Sequence, residues 1–244
     1  MTPPKTPGLF ITLEGPEGSG KSTHAPRLAE YLRSLGRDVL LTREPGGTSI
    51  GDQIRSVLND HANAAIRPSA ETLLFCASRA QLVSQMIRPH LEHGGTVVCD
   101  RFSDSTLAYQ GYGAGQPLEA LRDLQRFAVG DLRPDLTVLI DLPVEDGLRR
   151  KQPDQVTRFE ERADVEFHRR VRDGFLALAA TEPDRFLVVD GRQTVEVIED
   201  SILQAVRAGL GSRAQVSSGK VAVAPDASSQ IPSEPERSSL RMNR

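Results

Sequence analysis

The chain has 244 residues, which is enough for one large α/β domain or at most two small ones. Hydrophobic residues make up 38% and charged residues 26%, and the formal net charge of -3 gives no electrostatic reason to expect nucleic acid or an anionic membrane as the main partner. The two cysteines, Cys76 and Cys99, are too few for a disulfide framework, so we expect reduced core thiols in a cytoplasmic protein.

Apolar runs of strand length alternate with longer segments of helical period. The predicted strands are residues 8–14, 38–42, 96–99, 136–142 and 186–189. The first predicted helix begins after a Gly-rich turn and ends at about residue 35. The other predicted helices cover about 50–58, 69–92, 104–110, 118–128, 165–180 and 195–207. Because nearly continuous apolar strands alternate with helices, the pattern predicts an α/β fold with a parallel sheet covered on both faces.

Composition divides the chain into three parts. Residues 1–7 are predicted to be a flexible lead-in without the apolar core of a signal peptide, and residues 8–210 form the predicted domain. Residues 211–244 are rich in Ser, Pro and Ala and contain no aromatic residue, so we expect a disordered tail. No apolar run approaches the roughly 18 residues that a membrane span needs.

The segment after the first predicted strand matches the phosphate-binding pattern G-x-x-x-x-G-K-S. Its glycines let the backbone turn N–H groups toward a phosphate, and the N-terminus of the next helix adds its positive dipole end. We expect Lys21 to reach the β- and γ-phosphates of a nucleoside triphosphate and Ser22 to ligate Mg²⁺ directly. The predicted triphosphate-binding residues are Gly15, Pro16, Glu17, Gly18, Ser19, Gly20, Lys21 and Ser22.

The third predicted strand ends in Asp100-Arg101, where many hydrolytic P-loop proteins carry Asp-Glu, and no Asn-Lys-x-Asp guanine signature is present. We expect Asp100 to act on Mg²⁺ through water, and Arg101 suits a site that gathers two anionic substrates. A structural ion pair at a strand end is the alternative. The pattern favours phosphoryl transfer to a small acceptor. The rival class is an ATPase that acts as a switch or assembly factor.

Four further segments fall in order behind the P-loop. They are TREPGGT at residues 42–48, the pair Phe75 and Arg79 on one helical face, DRF with ST and YQG within residues 100–111, and RPDLT at residues 133–137. Together they resemble thymidylate kinase of the bacterial kind over about residues 8–208. The resemblance implies a doubly wound five-stranded parallel sheet flanked by helices, the P-loop NTPase fold, with a short mobile lid.

The resemblance also implies an activity. Thymidylate kinases transfer the terminal phosphoryl group of ATP, with Mg²⁺ as cofactor, to dTMP, giving dTDP and ADP for dTTP synthesis, and usually form homodimers. The expected partners are therefore ATP, dTMP and a second copy of the chain, without nucleic acid or membrane. Another nucleoside or nucleotide kinase of the same fold is the nearest rival, and a panel of bases would separate the two.

On the acceptor side, roles carry over from the family residue by residue. Arg43 matches the arginine that grips the acceptor's phosphate, and Arg101 matches the arginine between the two substrates. Phe75 matches the aromatic residue that stacks on thymine, and Arg79 matches the donor to its exocyclic oxygen. The predicted substrate-binding residues are Glu17, Arg43, Phe75, Arg79, Arg101, Ser105, Thr106, Tyr109 and Gln110.

The sugar contacts carry over in the same way. Tyr109 matches the residue packed against the deoxyribose, where a 2′-hydroxyl would intrude. Glu17 occupies the position of the P-loop carboxylate that contacts the 3′-hydroxyl of the sugar. The spacing alone leaves purely structural alternatives open. Phe75 could be a core residue beside a surface Arg79, and Tyr109 could be an aromatic residue that only packs in the core.

Residues 149–160 resemble the family's lid. Some relatives place a catalytic arginine in the P-loop where this chain has Gly18, so lid residues Arg150 and Arg158 are the candidates to replace it. A solvated basic stretch is the alternative. The predicted catalytic residues are Lys21, Asp100, Arg101, Arg150 and Arg158.

The turn after the second predicted strand must aim Arg43 at the acceptor phosphate. Because the family often uses a cis X-Pro bond here, the resemblance predicts that the Glu44–Pro45 bond is cis. Only about 5–6% of X-Pro bonds in folded proteins are cis.

Overall fold

Five strands form one parallel sheet in the order β2-β3-β1-β4-β5. The computed structural model describes residues 8–150 and 164–217. The strands are β1 (Leu9–Glu14), β2 (Val39–Arg43), β3 (Thr96–Asp100), β4 (Leu136–Asp141) and β5 (Phe186–Asp190). All four strand pairings are parallel. The predicted doubly wound sheet is confirmed.

Helices connect and cover the strands. They are α1 (Lys21–Ser34), α2 (Ser49–Asn59), α3 (Pro68–Leu82), α4 (Arg88–Glu92), α5 (Ser103–Thr106), α6 (Leu118–Val129), α7 (Val144–Arg150), α8 (Val165–Thr181) and α9 (Val195–Ser217). A short 3₁₀ turn covers His61–Asn63, and wider π-helical turns cover Val83–Ile87 and Leu107–Gly113. Among the helices of the described residues, none has the length and apolar character needed to cross a membrane.

The central strand β1 is buried on both faces. Leu9, Ile11 and Leu13 lie in a core formed with α1 and α9, whereas Phe10 lies on the opposite face in a core formed with α3 and the π-helical turn after it. Side chains alternate between the faces of a strand, so a strand covered on both sides needs apolar residues at successive positions. Burying each of these side chains contributes about 1.5–3 kcal/mol.

The order of the strands in the sheet shows where a crevice can form at its edge. The chain forms β1, β2 and β3 on one side and then passes to β4 and β5 on the other. In such sheets the connections diverge at the carboxyl ends of the strands where the order reverses, which opens a crevice there. The P-loop follows β1 into this crevice.

Several predicted boundaries differ from the structure. Helix α7 covers Val144–Arg150, where we predicted no helix, and α9 continues to Ser217, past its predicted end at about residue 207 and the predicted domain end at residue 210. A helix of seven residues, most of them charged, carries too little apolar periodicity to be recognised. The predicted lead-in, most of the predicted lid and residues 218–244 of the predicted tail lie outside the described residues.

Candidate active site

A cavity of about 530 Å³ lies at the carboxyl ends of β2 and β3, beside the N-terminus of α1. It brings together most of the predicted site. The predicted residues that line it are Glu17, Gly18, Ser19, Gly20, Lys21, Ser22, Arg43, Phe75, Asp100, Arg101, Ser105, Thr106, Tyr109, Gln110 and Arg150. Arg79 lies behind its wall, and the predicted lid residue Arg158 lies outside the described residues.

The P-loop backbone is held close to helix α7. Gly18 has φ 70, a left-handed conformation that favours glycine, and a Cβ there would collide with the carbonyl of Gly147. A Cβ on Gly147 would in turn collide with the carbonyl of Glu17. The loop and the helix that leads into the predicted lid therefore touch through two residues without side chains.

Lys21 folds back onto its own loop. Its Nζ donates to the carbonyl oxygens of Gly15 at 3.0 Å and Pro16 at 2.9 Å, and to Ser19 Oγ at 3.2 Å. Burial, and to a lesser extent the charge of Arg101, lowers the pKa of Lys21 to about 8. A triphosphate in this cradle would give the ammonium group the anionic partners that it now lacks.

Arg101 stands between the P-loop and the acceptor side. Its Nη2 donates to Glu17 Oε1 at 2.7 Å and to the Tyr109 hydroxyl at 3.0 Å, and that hydroxyl donates to Glu17 Oε1 at 2.8 Å. Burial alone would lower the pKa of Arg101, but Tyr109 and the surrounding carboxyl groups raise it above its usual value. The guanidinium is thus a permanent charge shared between the two halves of the cavity.

Two arginines approach the cavity, one from the end of β2 and one from α2, the next helix. Arg43 is largely exposed, with its Nη2 3.7 Å from Asp52 Oδ1. Arg55, on α2, also lines the cavity and donates from Nη1 to the carbonyl of Pro45 at 2.9 Å. Sequence reasoning missed Arg55, because on an amphipathic helix it looks like any solvated arginine. The bond between Glu44 and Pro45 is cis, so that prediction is confirmed.

Arg79 is 2% exposed and forms a buried ion pair with Glu44, with Nε and Oε2 2.6 Å apart. Its Nη1 donates to Thr106 Oγ1 at 3.0 Å and to Gln125 Oε1 at 2.5 Å, and its Nη2 donates to the carbonyl of Phe102 at 3.2 Å. The alternative of a core phenylalanine beside a surface arginine is therefore wrong. Phe75 is half-buried and lines the cavity, and the arginine is interior.

The residues expected around Mg²⁺ suit an ion that is shared with phosphates. Ser22 and Asp100 line the same cavity, one at the start of α1 and the other at the end of β3. Within the part of the chain that the structure describes, no group of three or more His, Cys, Asp or Glu side chains could hold a metal ion. Mg²⁺ commonly takes only one or two protein oxygens beside substrate phosphates and water, so this donor set fits it.

Arg150 reaches the cavity from the last turn of α7. Its Nη1 donates to the carbonyl of Gly191 at 3.1 Å, and the residue lines the cavity. Arg150 is exposed, so this basic side chain lies at the solvent-facing rim of the cavity. Its predicted catalytic role stays a prediction.

A glycine-rich loop between a buried strand and a helix, on a doubly wound parallel sheet, defines a P-loop nucleotide-binding enzyme. The family model for thymidylate kinase matches residues 13–202 of this chain. A thymidylate kinase from Roseiflexus castenholzii is 48% identical over 221 residues, which cover 85% of this chain and 96% of that protein. One from Deinococcus radiodurans is 53% identical over 203 residues, which cover 82% of this chain and 96% of that protein.

A solved structure gives the same result. The crystal structure of thymidylate kinase from Ehrlichia chaffeensis matches with a TM-score of 0.67 and 35% identity, covering 82% of this chain and 99% of that one. The chain belongs to the thymidylate kinase family. The family resemblance drawn from the sequence motifs is confirmed.

Proposed function

We propose that this protein transfers the γ-phosphoryl group of Mg-ATP to dTMP, giving dTDP and ADP in the synthesis of dTTP. One observation carries the proposal: a single cavity joins a P-loop to a half-buried aromatic side chain, Phe75, with Arg101 between them. Membership of the thymidylate kinase family supports dTMP as the acceptor. A bound nucleotide base could stack on Phe75 while its phosphate points toward the loop.

The proposed chemistry needs charge neutralisation rather than a base, because the attacking phosphate oxygen of the acceptor is ionised at neutral pH. Lys21 and Arg101 would neutralise the transferring group, and Arg43 would hold the acceptor phosphate. Arg150, and Arg158 from the lid, would add positive charge from the other side. Mg²⁺, held by Ser22 directly and by Asp100 through water, supplies charge neutralisation on the phosphate oxygens when it is bound.

The proposed acceptor specificity uses fixed side chains. Tyr109 is tied through its hydroxyl to Arg101 and Glu17, and its ring also packs against Phe167 and Phe175, so the ring has little freedom to move away from a 2′-hydroxyl. Arg79 has most of its donors engaged, which leaves one Nη2 proton to face an exocyclic carbonyl of the base. Thr106 and Gln110 line the same wall and would meet the base edge, and Ser105 lies beside Arg101.

We propose a homodimer as the assembly. Large apolar side chains are exposed on three helices that pack side by side, α2, α3 and α6. They are Ile50, Val57, Leu73 and Phe127. An exposed apolar surface spread over adjacent helices is typical of a protein interface. We also propose a cytoplasmic location, which the free, buried thiols of Cys76 and Cys99 support.

The test is ADP release measured with ATP and each of dTMP, dUMP, UMP, CMP, AMP and GMP. We expect dTMP to be preferred over UMP by at least about 10²-fold in kcat/KM, with dUMP used less well because one apolar contact is lost. Equal use of UMP and dTMP would indicate a broader pyrimidine nucleotide kinase. ADP release that needs no acceptor would overturn the proposal in favour of an ATPase.

A further inference from the structure

The end of β1 holds the segment around Arg101 at three successive positions. The backbone N–H of Arg101 donates to the carbonyl of Leu13 at 3.0 Å, and its Nη1 donates to the carbonyl of Gly15 at 3.2 Å. Between these two residues lies Glu14, whose side chain is fully buried. None of the roles described so far involves this carboxyl group.

The two oxygens of the Glu14 carboxyl group have different partners. The backbone N–H of Phe102 donates to Oε1 at 2.7 Å, and the Ser105 hydroxyl donates to Oε2 at 2.6 Å. The same hydroxyl oxygen accepts from Arg101 Nη1 at 3.2 Å. One side chain therefore fixes both the peptide that follows Arg101 and the group that the guanidinium binds.

Arg101 needs this support because its backbone conformation is unfavourable. Its φ is 69, and among the described non-glycine residues it alone has a positive φ. L-residues adopt this region rarely, and they stay there only when surrounding contacts hold them. The Phe102 N–H is oriented by the peptide plane that Arg101 and Phe102 share, so a partner for that N–H holds the strained conformation directly.

We propose that Glu14 is a positioning residue for phosphoryl transfer. Through the Phe102 N–H and the Ser105 hydroxyl, it keeps Arg101 in the left-handed conformation that aims its guanidinium between the two substrates. Glu14 itself touches neither substrate. The inference rests on the proposed function, since that function places Arg101 between donor and acceptor.

The environment of Glu14 favours a positioning role over a purely stabilising one. Burial, and then the charge of Asp104, raises the pKa of Glu14 to about 7, against the opposite effect of Arg101. A carboxyl group whose pKa is raised by folding ionises more easily in the unfolded chain, so at neutral pH its ionisation costs stability rather than adding to it. Such groups are concentrated at functional sites.

The test is a double-mutant cycle between position 14 and Arg101. Glu14→Ala removes both hydrogen bonds, and Glu14→Gln keeps an acceptor for the Phe102 N–H but cannot accept from Ser105 in the same way. We expect kcat to fall by roughly 10²-fold in Glu14→Ala and by about 10-fold in Glu14→Gln, since small misplacements of a catalytic group cost this much. In an Arg101→Ala background, neither change should lower kcat or dTMP affinity further.

The matched control is Asp104→Asn. Asp104 is a buried carboxylate beside Ser105, but its hydrogen bonds go to Arg185 and Thr137. Removing the charge of Asp104 should also make Glu14 easier to ionise, but it leaves both hydrogen bonds of Glu14 in place. We therefore expect this variant to lower the Tm and to leave kcat within about twofold. Equal losses of kcat at position 14 in the wild-type and Arg101→Ala backgrounds would overturn the inference, and so would a lowered Tm with unchanged kcat. If Glu14→Ala does not fold, the Glu14→Gln cycle decides.

Two further readouts separate this inference from the proposed function. Calorimetric binding of dTMP completes the cycle even where Arg101→Ala has no turnover. A crystal structure of Glu14→Ala or Glu14→Gln should show Arg101 outside the left-handed region or its guanidinium displaced, whatever the acceptor is. If the conformation of Arg101 is unchanged in both variants, the inference is wrong but the proposed function is unaffected. If the wild-type enzyme is inactive with dTMP, the proposed function is wrong but the structural inference is unaffected.

Discussion

Lys21 and Arg79 are buried cations whose partners could not be read from the sequence. Lys21 is surrounded by the carbonyl groups of its own loop, and Arg79 is paired with Glu44, which is 35 residues away in the chain. The phosphate-binding pattern and the family resemblance identified both positions. Neither indicated that the lysine would direct its three donors at its own loop, or that the arginine would be almost fully engaged.

The first prediction concerns Lys21→Met. The ammonium group is buried at a cost in the ligand-free protein, so its removal should leave the fold intact while turnover is lost. We expect kcat to fall by about 10²–10³-fold, equivalent to roughly 3–4 kcal/mol of lost transition-state stabilisation. Steady-state kinetics and a thermal melt measure the two effects. A folded variant with near-wild-type activity would contradict phosphoryl transfer at this loop.

The second prediction concerns protons taken up with ATP. The pKa of Lys21 is lowered to about 8 in the ligand-free site, and bound phosphates should raise it. Above about pH 8, binding must therefore take up a proton, and ATP affinity should fall as the pH rises; well below pH 8 this group adds no pH dependence. Calorimetry in two buffers with different ionisation enthalpies measures the uptake. Lys21→Met should abolish it, and uptake that persists in this variant would assign it to another group.

The third prediction concerns the sugar. Tyr109→Phe keeps the ring, so the preference for dTMP over UMP should stay near about 10²-fold, whereas Tyr109→Ala should reduce it. Because the hydroxyl binds Arg101 and Glu17, Tyr109→Phe should still lower kcat. Relative kcat/KM values with the two nucleotides test both statements. Loss of discrimination in Tyr109→Phe would show that the hydroxyl, rather than the ring, reads the sugar.

The base contact needs a more careful variant than Arg79→Ala. Removing this guanidinium alone would leave the Glu44 carboxylate buried without its partner, which typically costs about 3–5 kcal/mol. Combining Arg79→Ala with Glu44→Gln removes that charge. A gain of dCMP use in the double variant would support Arg79 as the group that excludes an exocyclic amine.

At the scale of elements, the strands were predicted to within one or two residues and α7 was missed. The strand prediction was accurate because β1, β3 and β4 are buried on both faces, and a strand buried on both faces has an uninterrupted run of apolar residues. Helix α7 has few buried side chains, and its contact with the P-loop is made by backbone at Gly147. A contact between two glycines leaves no pattern of side chains to recognise.

The fourth prediction tests that contact with Gly147→Ala. Alanine favours helix over glycine by about 1 kcal/mol, so α7 itself should gain helical stability. The new Cβ would nevertheless collide with the Glu17 carbonyl and push α7, and Arg150 with it, away from the cradle. We expect kcat/KM for ATP to fall by at least about tenfold.

The matched control for Gly147→Ala is Gly209→Ala on α9, where an added Cβ meets no atom of the described residues within 4 Å. This control should keep full activity. An unchanged kcat/KM for ATP in Gly147→Ala would contradict the prediction, because it would show that the contact between the P-loop and α7 is not needed for activity.

At the scale of the whole molecule, the sheet order brings the ends of β1 and β3 together, although one strand and four helices separate them in the chain. The site is therefore assembled from strands that neighbour in space, and the family motifs recovered most of it. The assembly state, by contrast, depends on an exposed surface. Phe127, on α6, is 91% exposed, an unusual position for a large aromatic side chain unless a partner covers it.

The fifth prediction is that Phe127→Glu yields a monomer. A charge placed on an apolar contact surface must be desolvated on association, which weakens the dimer strongly. Light scattering coupled to size exclusion measures the mass of wild type and variant. Leu35→Glu is the control, because Leu35 is also exposed but follows α1, away from α2, α3 and α6. A wild-type monomer, or an unchanged dimer in Phe127→Glu, would contradict the proposed interface.

The buried Lys21 has a practical consequence for chemical labelling. The chain's lysines are Lys5, Lys21, Lys151 and Lys220, and of these only Lys21 lies within the described residues. Lys21 is 7% exposed, and the pKa of its amine is lowered to about 8, so a larger fraction of this amine is unprotonated at neutral pH than in an ordinary lysine. Within the described residues, amine-directed cross-linkers would therefore find no surface lysine with which to map the proposed dimer. An amine-selective probe small enough to enter the cradle would instead report nucleotide occupancy at Lys21, because bound ATP would protect that amine.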